Sequence, residues 1–127
     1  MHENEISGAI IGAAIGIHKE LGPGLLEAVY ESALTYELNE LNLKVRTQVP
    51  MPLVYKDVRQ SIGYRLDMIV EEKVIVEIKS VETLVPVHFA QVLTYLKLSD
   101  MKLGLLINFN SAYLKDGVHR LANRLQA

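Results

Sequence analysis

The chain has 127 residues, half of them hydrophobic and 22% charged, which fits one folded domain with a single core and excludes a disordered chain. It has no cysteine and no basic leader at its start, which excludes disulfides, thiolate metal sites and cysteine nucleophiles and predicts a cytoplasmic protein. The net charge of −2 is unfavourable for nucleic-acid binding, but residues 1–42 hold seven acids and one base, a balance of −6, and the remainder is at +4.

Two helices joined by a tight turn are predicted at the start of the chain. Apolar residues recur at helical spacing across residues 3–21 and again from about 25 to 41. The Gly22-Pro23-Gly24 sequence ends the first helix because proline and glycine do not continue it cheaply, and so short a connection makes the helices neighbours. Glycine at every fourth position of the first helix is interpreted as close helix packing in the core; these residues are Gly8, Gly12 and Gly16.

The later part of the chain predicts a mixed sheet with helices against it. The predicted elements are an extended segment at 44–55, a hairpin of 64–70 and 73–80, a helix at 86–98, a strand at 103–109 and a closing helix at 114–125. Pro50 and Pro52 mark the extended segment as an edge strand or a bent one. The order α-α-β-β-β-α-β-α predicts a single α/β domain over residues 1–127.

The register of the predicted hairpin brings two acidic residues together. Pairing Val70 with Val74 makes one face entirely apolar; this face carries Leu66, Met68, Val70, Val74, Val76 and Ile78. The other face then sets Asp67 opposite Glu77 and Arg65 opposite Lys79. A shift by one residue would spoil the apolar face, so the pattern favours this pairing.

These side chains suggest metal chemistry. Two apposed carboxylates repel each other unless a cation lies between them, and carboxylate oxygens suit Mg²⁺ or Mn²⁺. Lys79 follows Glu77 on the same strand face, where its ammonium could orient an attacking water and stabilise charge on a phosphorus atom. The alternative is a solvated sheet face on which Glu77 pairs with Lys79 or Arg65.

Three features of the chain are considered together: Asp67, the Glu77-Ile78-Lys79 triplet, and the Gln91 and Tyr95 pair on the next helix. In this combination the chain resembles the PD-(D/E)XK nuclease superfamily, although Leu66 stands where the name of the superfamily has proline. Gln91 and Tyr95 resemble a motif of its recombination exonuclease branch. The segment Gly24-Leu25-Leu26-Glu27-Ala28-Val29-Tyr30 is similar to the signature of the GxxExxY family within that superfamily. The resemblance implies a restriction-endonuclease-like α-β-β-β-α-β core, here with an extra N-terminal helix and an extra C-terminal helix.

The resemblance also implies a role for each matching residue. The implied metal ligands are Asp67, Glu77, the backbone carbonyl of Ile78 and, directly or through water, Glu27. Lys79 would be the catalytic lysine, and Gln91 and Tyr95 would contact substrate, unless they form a buried amide and phenol that satisfy each other. His88, near the start of the same helix, is a further substrate-binding candidate, with helix capping as the alternative.

The sequence therefore predicts a Mg²⁺- or Mn²⁺-dependent nuclease that hydrolyses phosphodiester bonds, with DNA favoured over RNA as its partner and no membrane association. A chain this short also permits a homodimer, in which two sites address two strands. The alternative is a non-catalytic module that keeps the fold and binds nucleic acid or protein. The acidic net charge favours the module, and the complete set of charged residues argues against it.

Overall fold

The computed structural model describes residues 1–60 and 63–126, and within them it contains three α-helices and two sheets. The helices are α1 (Glu3–Leu21), α2 (Glu27–Glu40) and α3 (Pro86–Ser99). The strands are β1 (Val45–Met51), β2 (Val54–Tyr55), β3 (Val58–Arg59), β4 (Tyr64–Val70), β5 (Val74–Lys79), β6 (Leu103–Asn108) and β7 (Val118–Ala122). No helix in this part of the chain is long and apolar enough to cross a membrane.

The main sheet has the order β1-β4-β5-β6-β7, and β2 and β3 form a separate hairpin. Only the β5–β6 pair is parallel among the described strands, and α3 supplies the crossover that a parallel pair requires. The predicted core order α-β-β-β-α-β is confirmed in α2, β1, β4, β5, α3 and β6. The predicted edge position of the proline-containing strand is confirmed as well, since β1 lies at one side of the sheet.

Helices cover both faces of this sheet. On one face α1 and α2 pack their apolar stripes against β4, β5 and β6, and on the other face α3 packs Val92, Tyr95 and Leu96 against Ile69 and Ile75. A sheet buried on both faces explains why β5 and β6 are nearly continuous apolar runs instead of alternating ones. The result is a three-layer α/β arrangement of the expected class.

The predicted closing helix over residues 114–125 is wrong. A 3-10 turn at Leu114–Gly117 leads into β7, which pairs antiparallel with β6 from Ile107↔Val118 to Leu103↔Ala122. Val118 packs with the α1–α2 cluster and Leu121 with the α3 cluster, so the two residues lie on opposite faces, as in a strand. The unsatisfied edge of β6 outweighs a local apolar spacing that suits a helix equally well.

Gly117→Ala is expected to destabilise the protein by about 1–3 kcal/mol. A Cβ at this position would overlap the Ser111 side chain and the Asn108 carbonyl oxygen, where the chain turns from the 3-10 turn into β7. Urea unfolding measures the effect. The matched control is Gly12→Ala, whose new methyl would meet nothing within 4 Å in the described structure. It should stabilise the helix by about 0.5–1 kcal/mol, and a Gly117→Ala variant as stable as wild type would contradict this account.

The glycine line of α1 does not pack inside the core, contrary to the interpretation from the sequence. Gly8, Gly12 and Gly16 are exposed, and a Cβ on any of them would meet no atom within 4 Å among the described residues. The buried stripe of α1 is instead made by Ile6, Ser7, Ile10, Ala14 and Ile17. Helical spacing therefore predicts the position of α1 correctly, but the predicted packing of its glycines in the core is wrong.

Candidate functional site

The β4–β5 hairpin has the register predicted from its apolar pattern. Val70 pairs with Val74, and the backbone ladder continues as far as Met68 and Val76. The next two residues in this register are the two acids. From this point in the hairpin, the backbone N–H groups of Asp67 and Ile78 donate to the side chains of the two acids instead of to backbone carbonyls.

Asp67 and Glu77 form an interlocked pair, in which each carboxylate accepts a hydrogen bond from a backbone N–H of the opposite strand. The backbone N–H of Asp67 donates to Oε2 of Glu77 at 3.0 Å, and the backbone N–H of Ile78 donates to Oδ2 of Asp67 at 2.8 Å. Each carboxylate therefore has one oxygen fixed by the opposite strand. This arrangement orients both groups side by side at the carboxyl end of β5, the end at which open α/β sheets bind ligands.

A break in the β1–β4 ladder lies beside Asp67. The flanking pairs are Thr47↔Met68 and Val49↔Leu66, and within the described residues Gln48 and Asp67 between them are unpaired. Gln48 has a φ of 51°, a left-handed conformation that costs a non-glycine residue about 1–2 kcal/mol. The alternation of faces is lost here. Leu66 consequently packs in the α3 cluster, so its predicted place on one apolar face with Met68 is wrong.

Glu77 is an acid held in an apolar setting. It is only 6% exposed, and burial, reinforced by the neighbouring Asp67 carboxyl, raises its pKa from 4.5 to about 9. The Asp67 backbone N–H and the Lys79 ammonium lower the pKa only in part. In the described residues no ion pair within 4.0 Å joins Glu77 to Lys79 or to Arg65. The alternative of a solvated face with paired charges therefore does not describe this carboxylate.

Lys79 ends β5 in a segment fixed by β6. Its carbonyl accepts the backbone N–H of Phe109 at 2.9 Å. The buried Asn108 side chain accepts the Val81 N–H at 3.1 Å and donates to the Val81 carbonyl at 2.9 Å. Asn108 therefore holds the chain that leaves the site. The sequence did not single out this residue, although a polar residue ending an apolar strand is a signal for such a role.

Hydrogen bonds and ring stacking of Tyr30 fix the Gly24–Tyr30 segment close to this part of the structure. The hydroxyl of the buried Tyr30 donates to the Gly22 carbonyl at 2.6 Å and accepts the Leu25 N–H at 3.1 Å. Its ring stacks on Phe109 with 4.4 Å between centroids. Gly24 has a φ of 93°, which explains the need for glycine in the turn. The tyrosine therefore fixes the loop from which α2 starts.

Glu27 extends from the first residue of α2 to the end of β5. Its Oε2 accepts the Ser80 N–H at 3.1 Å, while the Ser80 hydroxyl donates to the Leu25 carbonyl at 2.6 Å. Glu27 is itself exposed. The structure thus places this candidate next to the residue that follows Lys79, in a groove of about 580 Å³ that Ser80 and Asn110 also line.

Glu31 is an acid near the site that the sequence analysis missed. It accepts a hydrogen bond from Nε2 of Gln48 at 2.7 Å. Burial raises its pKa, and the charge of Asp67 raises it further. Because Glu31 lies one helical turn after Glu27, spacing could have identified it as a second acid on the same face of α2.

The three substrate candidates on α3 differ in their surroundings. Tyr95 is buried, meets Tyr64 edge-to-face at 5.1 Å, and has its pKa raised by burial and then by the charge of Glu77. Gln91 is exposed, and in the described residues no hydrogen bond joins it to Tyr95, so the pair is not a mutually satisfied buried unit. Nδ1 of His88 accepts the Val85 N–H at 3.1 Å and caps the helix. Of the three, Tyr95 alone is buried.

The donors at Asp67 and Glu77 fit a hard divalent cation. No three His, Asp or Glu side chains in the described part of the chain converge as a ready metal cage. Mg²⁺ does not need such a cage, because it keeps several waters and binds through one or two carboxylates together with substrate phosphates. A cation there would also compensate the buried charge of Glu77.

Residues 4–121 match the PD-(D/E)XK nuclease superfamily, from the first turn of α1 into β7. Neither the curated proteins nor the solved structures include a match to this chain. The match spans both acids, Lys79 and all of the main sheet except Ala122, the last residue of β7. The chain therefore belongs to the PD-(D/E)XK nuclease superfamily, whose members are usually nucleases.

Proposed function

We propose that residues 1–127 form one nuclease domain that hydrolyses phosphodiester bonds with the help of Mg²⁺ or Mn²⁺ and acts on DNA in preference to RNA. The observation that carries the proposal is the interlocked pair of Asp67 and Glu77, in which Glu77 lies two residues before Lys79 on β5. The superfamily match supports the same activity. We also assign the chain to the GxxExxY branch, on the basis of its Gly24–Tyr30 segment.

In this proposal Asp67, Glu77 and the carbonyl of Ile78 hold the metal. A bound divalent ion polarises the phosphate and lowers the pKa of a water molecule. The protein contributes the orientation of both carboxylates, since each is anchored by a backbone N–H of the opposite strand. Burial of Glu77 supports the assignment because an uncompensated carboxylate at that depth is unfavourable.

Lys79 is assigned to the attacking water and to the charge that develops on the phosphate. Within the described residues Lys79 forms no ion pair, so its ammonium is available for this role. Glu27 accepts a hydrogen bond from the adjacent Ser80 and is proposed to bind the metal directly or through water. Tyr95, with Gln91 one turn before it and His88 at the helix start, is proposed to line the substrate side.

Cleavage assays test this function directly. Labelled single-stranded, double-stranded and branched DNA and RNA are incubated with Mg²⁺, Mn²⁺ or EDTA. We expect cleavage only with metal, and a loss of about 10²–10³-fold for Lys79→Met. Lys97→Met, which removes an exposed ammonium from α3, should cleave like wild type.

Two outcomes would contradict the proposal. Cleavage by wild type that persists in EDTA and is lost in Lys79→Met would show that this chain cleaves without metal. A complete lack of cleavage of every substrate by wild type would instead favour a non-catalytic module, for which the net charge of −2 is the supporting observation.

A further inference from the structure

The hairpin of β2 and β3 stands outside the main sheet and exposes apolar and basic side chains together. Val54, Tyr55 and Val58 are each more than half exposed. Its two turn residues, Lys56 and Asp57, have φ values of 49° and 64°, the geometry of a tight hairpin turn. A two-stranded hairpin gains little stability from such exposed residues alone. Their exposure on a hairpin separate from the main sheet indicates a contact surface.

A groove lies between the end of this hairpin and the start of β4. Its volume is about 480 Å³, and Arg59, Gln60, Tyr64 and Arg65 are among the residues that line it. Two guanidinium groups and an amide are donors that suit phosphate oxygens. The groove therefore offers hydrogen-bond donors at the start of β4.

The charges of this region are unbalanced. Residues 45–66 contain four bases and a single acid, Asp57. Arg46 is neutralised by Glu72 at 2.8 Å, whereas Arg59 and Arg65 form no ion pair within the described residues. In a chain with a net charge of −2, this is a local positive surface suited to a polyanion.

The groove and the acid pair share strand β4, on which Arg65 lines the groove and Asp67 belongs to the pair. Arg65 precedes Asp67 by two residues on β4, a distance of about 7 Å along a strand. A stacked nucleic-acid strand rises about 3.4 Å per nucleotide, so Arg65 lies about two nucleotides from Asp67. Tyr64, in the groove wall, contacts Tyr95, whose pKa is raised in part by the charge of Glu77. A strand held in the groove would therefore lead into the site.

Tyr55 offers a surface for an unpaired base. Its side chain is 61% exposed, and the ammonium of Lys56 lies 5.5 Å from the ring centroid. Single-stranded nucleic acid is bound by basic grooves combined with exposed aromatic rings on which bases stack. In a duplex the faces of the bases are already stacked on one another, so an exposed ring beside a basic groove favours a single strand.

We propose that Tyr55, Lys56, Arg59, Gln60 and Arg65 form a binding surface for a single-stranded segment of the substrate, named here the hairpin patch. The arginines contact phosphates on the side that leads to Asp67, and Tyr55 stacks on an unpaired base. The inference rests on the proposed nuclease function for the identity of the polymer. It adds the substrate class, which is nucleic acid with an unpaired region.

Binding measured without metal tests the hairpin patch. Fluorescence anisotropy follows a labelled oligothymidylate in EDTA, so that no cleavage can occur. We expect the Arg59→Gln/Arg65→Gln double variant to bind about 10–100-fold more weakly, with the slope of log affinity against log salt reduced by about 1.4. The control double variant Lys97→Gln/Lys102→Gln removes two exposed cations outside the patch and should keep both the affinity and the slope.

The stacking role has its own control. Tyr55→Ala should weaken binding by about tenfold, whereas Tyr36→Ala, which removes a side chain of 62% exposure on α2, should leave binding unchanged. Circular dichroism confirms that each variant is folded.

Two results would overturn the inference. Unchanged binding by the arginine variant would show that the hairpin patch does not bind the strand, and it would not affect the nuclease proposal. A blunt duplex bound as tightly as the single strand, with no effect of Tyr55→Ala, would overturn the assignment to unpaired nucleic acid. Because no metal is present, absence of cleavage would count against the proposed function and not against this surface.

Discussion

Replacement of Asp67 by asparagine is expected to lower metal-dependent cleavage by about 10³-fold or more while leaving the fold intact. Asparagine keeps the shape of the side chain and an oxygen that can accept the Ile78 N–H, which Asp67 now receives at 2.8 Å. The substitution removes the negative charge that a hard cation requires. Initial rates at saturating Mg²⁺ and Mn²⁺ measure the effect, and thermal unfolding checks the fold.

Asp100→Asn is the matched control for this substitution. Asp100 is exposed and has a φ of 58° at the end of α3, a conformation that asparagine tolerates well. Its activity and stability should equal those of wild type. An Asp67→Asn variant that retains most of the wild-type rate would show that Asp67 is not a metal ligand in the reaction.

Glu77→Gln is expected to stabilise the metal-free protein near neutral and alkaline pH while abolishing activity. Because the pKa of Glu77 is raised from 4.5 to about 9, the folded state retains a proton that the unfolded chain releases. The stability that this group contributes is complete below pH 4.5, the pKa of the unfolded chain. It falls as the pH rises from 4.5 towards about 9, the pKa of the folded state. Glutamine resembles the protonated acid and removes the decline. At about pH 8 the gain is on the order of 5 kcal/mol.

Urea unfolding in EDTA, repeated from acidic to alkaline pH, measures this gain. The wild type should lose stability with rising pH relative to Glu77→Gln. Mg²⁺ should restore stability to wild type and not to the variant, because only the wild type binds the ion in its folded state. Parallel pH profiles for the two proteins, with equal responses to Mg²⁺, would show that Glu77 is neither protonated by its surroundings nor a ligand.

The parts of this site that the sequence predicts are those that local pattern determines. The apolar face of the hairpin fixes the pairing of Val70 with Val74, and the pairing in turn brings Asp67 beside Glu77. Helical spacing likewise placed α1, α2 and α3 within a few residues of their observed bounds. In each case the signal is the periodicity of a single element against one core.

The remaining features depend on contacts between distant segments. The left-handed Gln48 interrupts β1. Pro50 and Pro52 predict an edge or bent strand here, but they indicate neither the position of the break nor the change of face at Leu66. The closing segment became β7 because β6 would otherwise have an open edge, a condition that its own spacing does not contain. The clamp of Asn108 on Val81 likewise joins residues 27 positions apart.

Binding of Mn²⁺ to the metal-free protein, measured by isothermal titration calorimetry, tests the central claim most directly. Wild type and Asp100→Asn are expected to bind the ion with equal affinity. Asp67→Asn and Glu77→Gln should each bind at least about 100-fold more weakly, since each loses a direct ligand. Undetectable binding by wild type, or equal binding by all four proteins, would contradict a metal centre at Asp67 and Glu77.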